Sequence, residues 1–170
     1  MEYVIVLYFD NDEPIERLIN KIGKKILNYT FINKIKPHLT LLSFEADDET
    51  TLIDNFKKVK SKPIDIILSK INIFQETKNV IFIDCILSNE LLDLRSKFLK
   101  IPNLKLLPYH LLSKYHPHIS IGYDLKESEL HNAIKLVKNE DIPKRLLVST
   151  ISLYRLPDLF HLASINLSNR

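Results

Sequence analysis

Apolar residues recur along this chain at two periods, and the period switches repeatedly. Tyr3 to Phe9 form a β-rich apolar run, the pattern of a buried strand. Asp12 stands where a helix cap belongs, and Ile15, Leu18, Ile19, Ile22 and Ile26 follow at helical spacing. A second strand covers about 37–44. Asp47 or Asp48 then opens a second helix, with Leu52, Ile53, Phe56 and Val59 on one face. Pro63 closes that connection, and apolar runs at 64–68 and 71–74 predict one bent strand or two short ones.

The second half repeats the order. A strand at 79–87 precedes a helix near 89–100 carrying Leu91, Leu94 and Phe98. A proline-bearing loop fills roughly 101–115. A strand at 117–123 and a helix near 126–139 with Leu130, Ala133, Ile134 and Val137 follow, and strands at about 145–154 and 160–167 end the chain. Strand–helix–strand–helix–strand therefore occurs twice, with one extra strand. This layout predicts an α+β fold of two lobes, built from duplicated units related by a pseudo-two-fold axis. Antiparallel sheets would flank a central cleft, within a single two-lobed domain over 1–170.

Composition narrows the function classes. At 170 residues the chain can bury a real core, and 45% hydrophobic with 26% charged residues is ordinary for a globular protein. A formal charge of +3 suits a phosphate-bearing ligand without demanding a nucleic-acid platform. Cys85 is the single cysteine, so no internal disulfide forms, and its apolar surroundings predict a buried thiol. The opening residues read as a first strand, not a signal peptide. No apolar run approaches the roughly 20 residues that span a bilayer. The expected setting is the reducing cytoplasm, with no membrane association. Gly23 and Gly122 are the 2 glycines and stand alone, which excludes a P-loop and a GxGxxG turn.

Candidate chemistry lies in two stretches half a chain apart, Lys36-Pro37-His38-Leu39-Thr40-Leu41 and His116-Pro117-His118-Ile119-Ser120-Ile121. Residues two apart in a strand share a face. His38 would sit beside Thr40 and His118 beside Ser120, while Leu39, Leu41, Ile119 and Ile121 point into apolar packing. A lone histidine in an apolar strand is usually a packed framework residue. Here His38 and His118, of 6 histidines, are the two with a hydroxyl residue two positions on. His116 and His118 also match a His-x-His zinc spacing, with His110 nearby. Pro117 bends the start of that strand and no neighbouring Cys or carboxylate completes a set, so the metal expectation is none. His131 belongs on a solvated helix face and His161 on a strand edge.

Paired His-x-Thr/Ser motifs, each in a strand and half a domain apart, resemble the two-histidine phosphoesterase superfamily, the LigT-like RNA ligase and cyclic phosphodiesterase proteins. The resemblance spans essentially the whole chain. It implies that His38 and His118 are an acid/base pair and that Thr40 and Ser120 bind phosphate. It also implies no metal and no cofactor. Imidazole suits both proton roles because its unperturbed pKa, about 6.5, lies near working pH. The implied activity is opening of 2′,3′-cyclic phosphate ends of RNA or nucleotides to a 2′-phosphate, with weak reverse 2′-5′ RNA ligation, by a monomer. Two alternatives stay open. The substrate could be small, such as ADP-ribose 1″,2″-cyclic phosphate or a 2′-5′ oligoadenylate, or the chain could be a non-catalytic RNA or nucleotide binder.

One departure from the family pattern concerns substrate binding. Many members carry arginine three residues after the second hydroxyl, where this chain has Tyr123. Tyrosine can stack on a base or donate one hydrogen bond, but it brings no charge. Lys36, Lys114 or Arg155 could compensate, and Tyr115 or Tyr8 could stack a nucleobase.

Overall fold

Most of these patterns become elements in the computed structural model, which describes residues 1–24, 36–75 and 78–167. In chain order they are β1 (Glu2–Phe9), α1 (Glu13–Gly23), β2 (Leu39–Glu45), α2 (Glu49–Lys58), β3 (Asp65–Gln75), β4 (Asn79–Cys85), α3 (Asn89–Leu99), β5 (Lys105–Leu106), β6 (His118–Gly122), α4 (Glu127–Val137), β7 (Arg145–Arg155) and β8 (Phe160–Asn166). Ile26, placed on the first helix by its spacing, lies outside the described residues. The runs at 64–68 and 71–74 are one strand, with a register irregularity between Leu68 and Ile71. The stretch expected to be a plain loop contains β5 and a 3-10 turn, Pro108–His110.

Local chemistry accounts for the helix starts. The Asp48 carboxylate accepts from the Thr51 N–H at 3.0 Å, and the Ser88 hydroxyl oxygen accepts from the Leu91 N–H at 3.2 Å; each satisfies a donor that a helix start leaves open. Asp12 differs from its expected role. It occupies the N-cap position of α1 but makes no side-chain capping bond, and its Oδ2 is buried without a partner. The Asp12 backbone carbonyl accepts from Ile15 and Glu16 instead, and Pro14 presets the first turn.

All strand pairs are antiparallel, and the sheet runs β5-β2-β1-β7-β3-β4-β6 with β8 beside β7. Exchanging β1 with β4, β2 with β6 and β3 with β7 reverses the central six strands onto themselves. The duplicated layout is thus a true structural symmetry. Each half lends its last strand to the other: β7 completes the sheet of β1 and β2, and β3 completes that of β4 and β6. The two loaned strands meet at their starts, where Ile66 pairs with Leu146, flanked by Asp65 with Leu147 and Ile67 with Arg145. Ile66 and Leu146 are equivalent residues of the two halves, so the axis passes between them. Both are buried.

The core lies on the sheet faces turned away from the motif side chains. Leu39, Leu41, Ile119 and Ile121 are all 0% exposed, as strand alternation requires. α1 packs beside α4 and against β6, and α2 meets α3 through the Phe56 and Phe98 rings, 5.5 Å apart. Cys85 is buried, and burial raises its thiol pKa, so it is no thiolate nucleophile at neutral pH. Among the described residues no helix is long and apolar enough to cross a membrane.

Candidate active site

The two motifs hold their imidazoles by the same device. Lys36 and His116 each precede a proline, which disfavours helical backbone at that position. Each leaves its carbonyl within reach of the ring two residues on. His38 Nδ1 lies 2.9 Å from the Lys36 carbonyl oxygen, and His118 Nδ1 lies 2.7 Å from the His116 carbonyl oxygen. A carbonyl only accepts, so each Nδ1 carries a hydrogen and Nε2 is the nitrogen that gains or loses a proton. His38 stands one residue before β2 and His118 opens β6. Thr40 and Ser120 sit two residues further along, partly exposed. All four line one cleft of about 710 Å³, so remote parts of the chain converge on a single groove.

The surroundings of the two rings differ. The β1–β2 register pairs Leu7 with Leu39, which puts Tyr8 opposite His38, with ring centroids 6.2 Å apart. The Tyr8 hydroxyl is 2.9 Å from that of Tyr154, and burial raises its pKa, so it stays a neutral phenol. In the other half the residue opposite His118 is Asp84. One Asp84 oxygen lies 2.5 Å from His116 Nε2, and the other accepts from Asn72 Nδ2 at 3.1 Å. Phe74 and Phe82 stack at 4.0 Å, and both rings make T-shaped contacts with His116 and His118 at centroid distances of 5.1 to 5.5 Å. This packing fixes the ring of His118. A carboxylate therefore does stand beside His116, contrary to the expectation from sequence neighbours. Even so, no group of three or more His, Cys, Asp or Glu among the described residues is arranged to hold a metal ion.

Burial lowers the pKa of both His38 and His118. At His38 the Lys36 carbonyl opposes the effect and the charge of His118 adds to it. At His118 the His116 carbonyl and Asp84 oppose burial, while the charge of His116 adds to it. His110, also on the cleft wall, is driven down to about 4, first by burial and then by the charge of Arg95. Arg95 is 2% exposed; it donates to the His110 carbonyl and lies over the Tyr115 ring at 4.6 Å.

Lys36, Lys78 and Lys114 line the cleft, and no carboxylate is among its described lining residues. Tyr123 lines it too, with Lys78 Nζ 4.8 Å from its ring centre. A positive charge thus stands beside position 123, on the residue just ahead of β4. Lys36 and Lys114, two of the residues that could compensate, line the cleft. Arg155 does not: it holds both Glu49 oxygens at 3.0 Å. Tyr115 is a buried framework residue, its hydroxyl donating to the Thr40 carbonyl at 3.0 Å, and Tyr8 is occupied by Tyr154. His131 and His161 are exposed on α4 and β8. Lys78, Asp84 and Tyr109, which is 58% exposed on the cleft rim, belong to no motif that singles them out. Asp84 does carry a signal, as the one charge inside the apolar run Val80 to Cys85.

Two lobes with exchanged strands, each giving a His-x-hydroxyl segment to a shared cleft, define a two-histidine phosphoesterase fold. The chain belongs to the 2′-5′ RNA ligase superfamily, whose family profile matches residues 4–158. Among solved structures it is similar to Escherichia coli LigT complexed with 3′-AMP, at 14% identity, a TM-score of 0.62 and coverage of 99% of this chain and 98% of that one. It is similar to TT0787 of Thermus thermophilus, at 16% identity and TM-score 0.57, with 98% of each chain covered. Kluyveromyces marxianus Usb1 shares the fold at 12% identity and TM-score 0.53, over 98% of this chain and 97% of that one. No curated protein matches this chain by sequence.

Proposed function

We propose that this protein is a metal-independent cyclic phosphodiesterase that opens 2′,3′-cyclic phosphate ends of RNA or nucleotides to a 2′-phosphate. The convergence of two Nδ1-anchored imidazoles on one cleft carries the reading. Hydrolysis needs a base that takes a proton from water and an acid that protonates the departing ribose oxygen. His38 and His118 are two groups of the right kind, one for each side of the phosphorus. Thr40 and Ser120 hydroxyls would donate to the non-bridging oxygens as their charge develops. Lys36, Lys78 and Lys114 favour an anionic substrate. Run in reverse, the same site would join RNA ends weakly through a 2′-5′ bond.

A small nucleotide substrate is the second reading. E. coli LigT has been solved with 3′-AMP, with ATP and with NADP+, so the shared fold accommodates nucleotides without a polymer. A panel separates the two: 2′,3′-cyclic mononucleotides, RNA with cyclic phosphate ends, ADP-ribose 1″,2″-cyclic phosphate and 2′-5′ oligoadenylate, each with and without EDTA. Phosphorus NMR reads the product position. Turnover should survive EDTA. His38→Ala or His118→Ala should each cost about 10²–10⁴-fold, the scale of a general acid or base. Full activity of either variant on every cyclic phosphate the wild type cleaves would overturn the assignment.

A further inference from the structure

The symmetry that relates the two motifs fails beside the imidazoles, at two pairs of equivalent positions. β1 sets Tyr8 against His38, whereas β4 sets Asp84 against His118. The residues whose carbonyls anchor the rings differ as well, Lys36 in one half and His116 in the other. We infer that the Asp84–His116 pair is a positioning device that makes His118 the proton donor to the leaving ribose oxygen and leaves His38 as the base. This rests on the cyclic phosphodiesterase reading given above and deepens it by assigning the two proton roles.

Facing residues in an antiparallel ladder have Cβ atoms about 4.5–5.5 Å apart, so the Asp84 charge acts on the His118 ring directly. Asp84 is also held in place, by His116 on one oxygen and Asn72 on the other, and it keeps the backbone that accepts from His118 Nδ1 anchored. The titratable groups facing His118 are therefore Asp84 from β4, His116 from its own lead-in, His110 from the 3-10 turn and His38 across the cleft. Those facing His38 are Tyr8 from β1, Lys36 from its lead-in and His118. No carboxylate acts on His38 among the described residues, and the charge of His118 works against its protonation. At His118 the His116 carbonyl and, to a smaller degree, Asp84 support the proton, while the charge of the His116 ring opposes it. When one proton is shared between the two rings, it resides on His118.

In the forward step, water loses a proton to His38 Nε2 as its oxygen bonds to phosphorus. The bond from phosphorus to the ribose oxygen breaks, and that oxygen takes the proton from His118 Nε2. The two rings exchange protonation states and are reset through solvent.

The test has two arms. Nitrogen-detected NMR titration of the imidazoles, assigned with His38→Gln and His118→Gln, should show His118 titrating at higher pH than His38. In Asp84→Asn the His118 midpoint should fall while that of His38 moves less. The reverse order in the wild type overturns the inference, whether or not any substrate is turned over. The second arm uses a 2′,3′-cyclic phosphate with sulfur in place of the leaving ribose oxygen, since a thiolate departs without a proton. His118→Ala should regain most of its about 10²–10⁴-fold loss on that substrate, and His38→Ala should not. Rescue of His38→Ala in place of His118→Ala overturns the assignment. A wild type that opens no cyclic phosphate in the oxygen series defeats the proposed function, and the titration order still judges the asymmetry on its own.

Discussion

The hydroxyl of Tyr115, three residues ahead of His118, donates to the backbone carbonyl of Thr40, two residues past His38, at 3.0 Å. This bond ties one motif to the other across the base of the cleft. Burial raises the Tyr115 pKa, so the phenol keeps its hydrogen throughout the working pH range. Tyr115→Phe removes the donor and preserves the ring. The expected cost is about 0.5–1.5 kcal/mol, the net value of a typical hydrogen bond. It should appear as a lower urea midpoint at constant m-value, with reduced turnover of a cyclic phosphate. An unchanged midpoint would show that the two motifs are not held together this way.

Lys78 carries its charge against Tyr123 and pairs with Asp124 at 3.3 Å on an exposed surface. On the proposed function its part is to attract the anionic substrate, not to move a proton. Lys78→Ala should raise KM by no more than about fivefold, the scale of one exposed ion pair with the substrate. It should also flatten the dependence of KM on salt, with kcat nearly constant. A fall in kcat at constant KM would move Lys78 into the transition state and contradict this account.

Acid should weaken the fold through buried histidine. His110 is 7% exposed and its pKa lies at about 4, against an unfolded value near 6.5. Below pH 6.5 the unfolded chain takes up a proton that the folded chain refuses, so stability falls as pH falls and the loss saturates below 4. At pH 5 this one site amounts to about 2 kcal/mol. His38 and His118 act in the same direction. Urea midpoints measured from pH 7.5 to 4.5 should decline, and His110→Gln should decline less steeply. Parallel curves for the two proteins would show that His110 titrates normally.

Arg95 is a buried cation whose Nε has no partner. Its guanidinium still donates to the His110 carbonyl and lies on the Tyr115 ring, holding the segment that leads into β6. Arg95→Met should cost about 1.5–3 kcal/mol, the range for a charged hydrogen bond. Because the charge of Arg95 helps to depress His110, the same variant should raise the His110 pKa when followed by NMR. Loss of stability with no movement of His110 would leave Arg95 with a packing role alone.

What the residues disclosed in advance was local. Alternation in Leu39 to Leu41 and Ile119 to Ile121 fixes which side chains face the core, and both His-hydroxyl pairs follow from it. The prolines at 37 and 117 marked equivalent positions, since each shapes the carbonyl that anchors the next imidazole. Contacts made sideways across a ladder were not legible, because register depends on partners far away in the chain. Asp84 reaches His118 that way, and Lys78 reaches Tyr123 from another turn. Asp12 was legible in place but not in contact. It stands at the N-cap as its type and position suggest, but its Oδ2 is buried without a partner while the backbone starts the helix.

The handshake between β3 and β7 is the geometry of two half-length chains clasped about an axis at Ile66 and Leu146. Two identical subunits so clasped would present the same neighbour to both imidazoles, a phenol twice or a carboxylate twice. A continuous polypeptide, freed from that identity, sets Tyr8 on one side and Asp84 on the other. The single chain thus does more than tether the lobes: it gives the two imidazoles unlike neighbours, the difference on which the inferred division of proton roles rests.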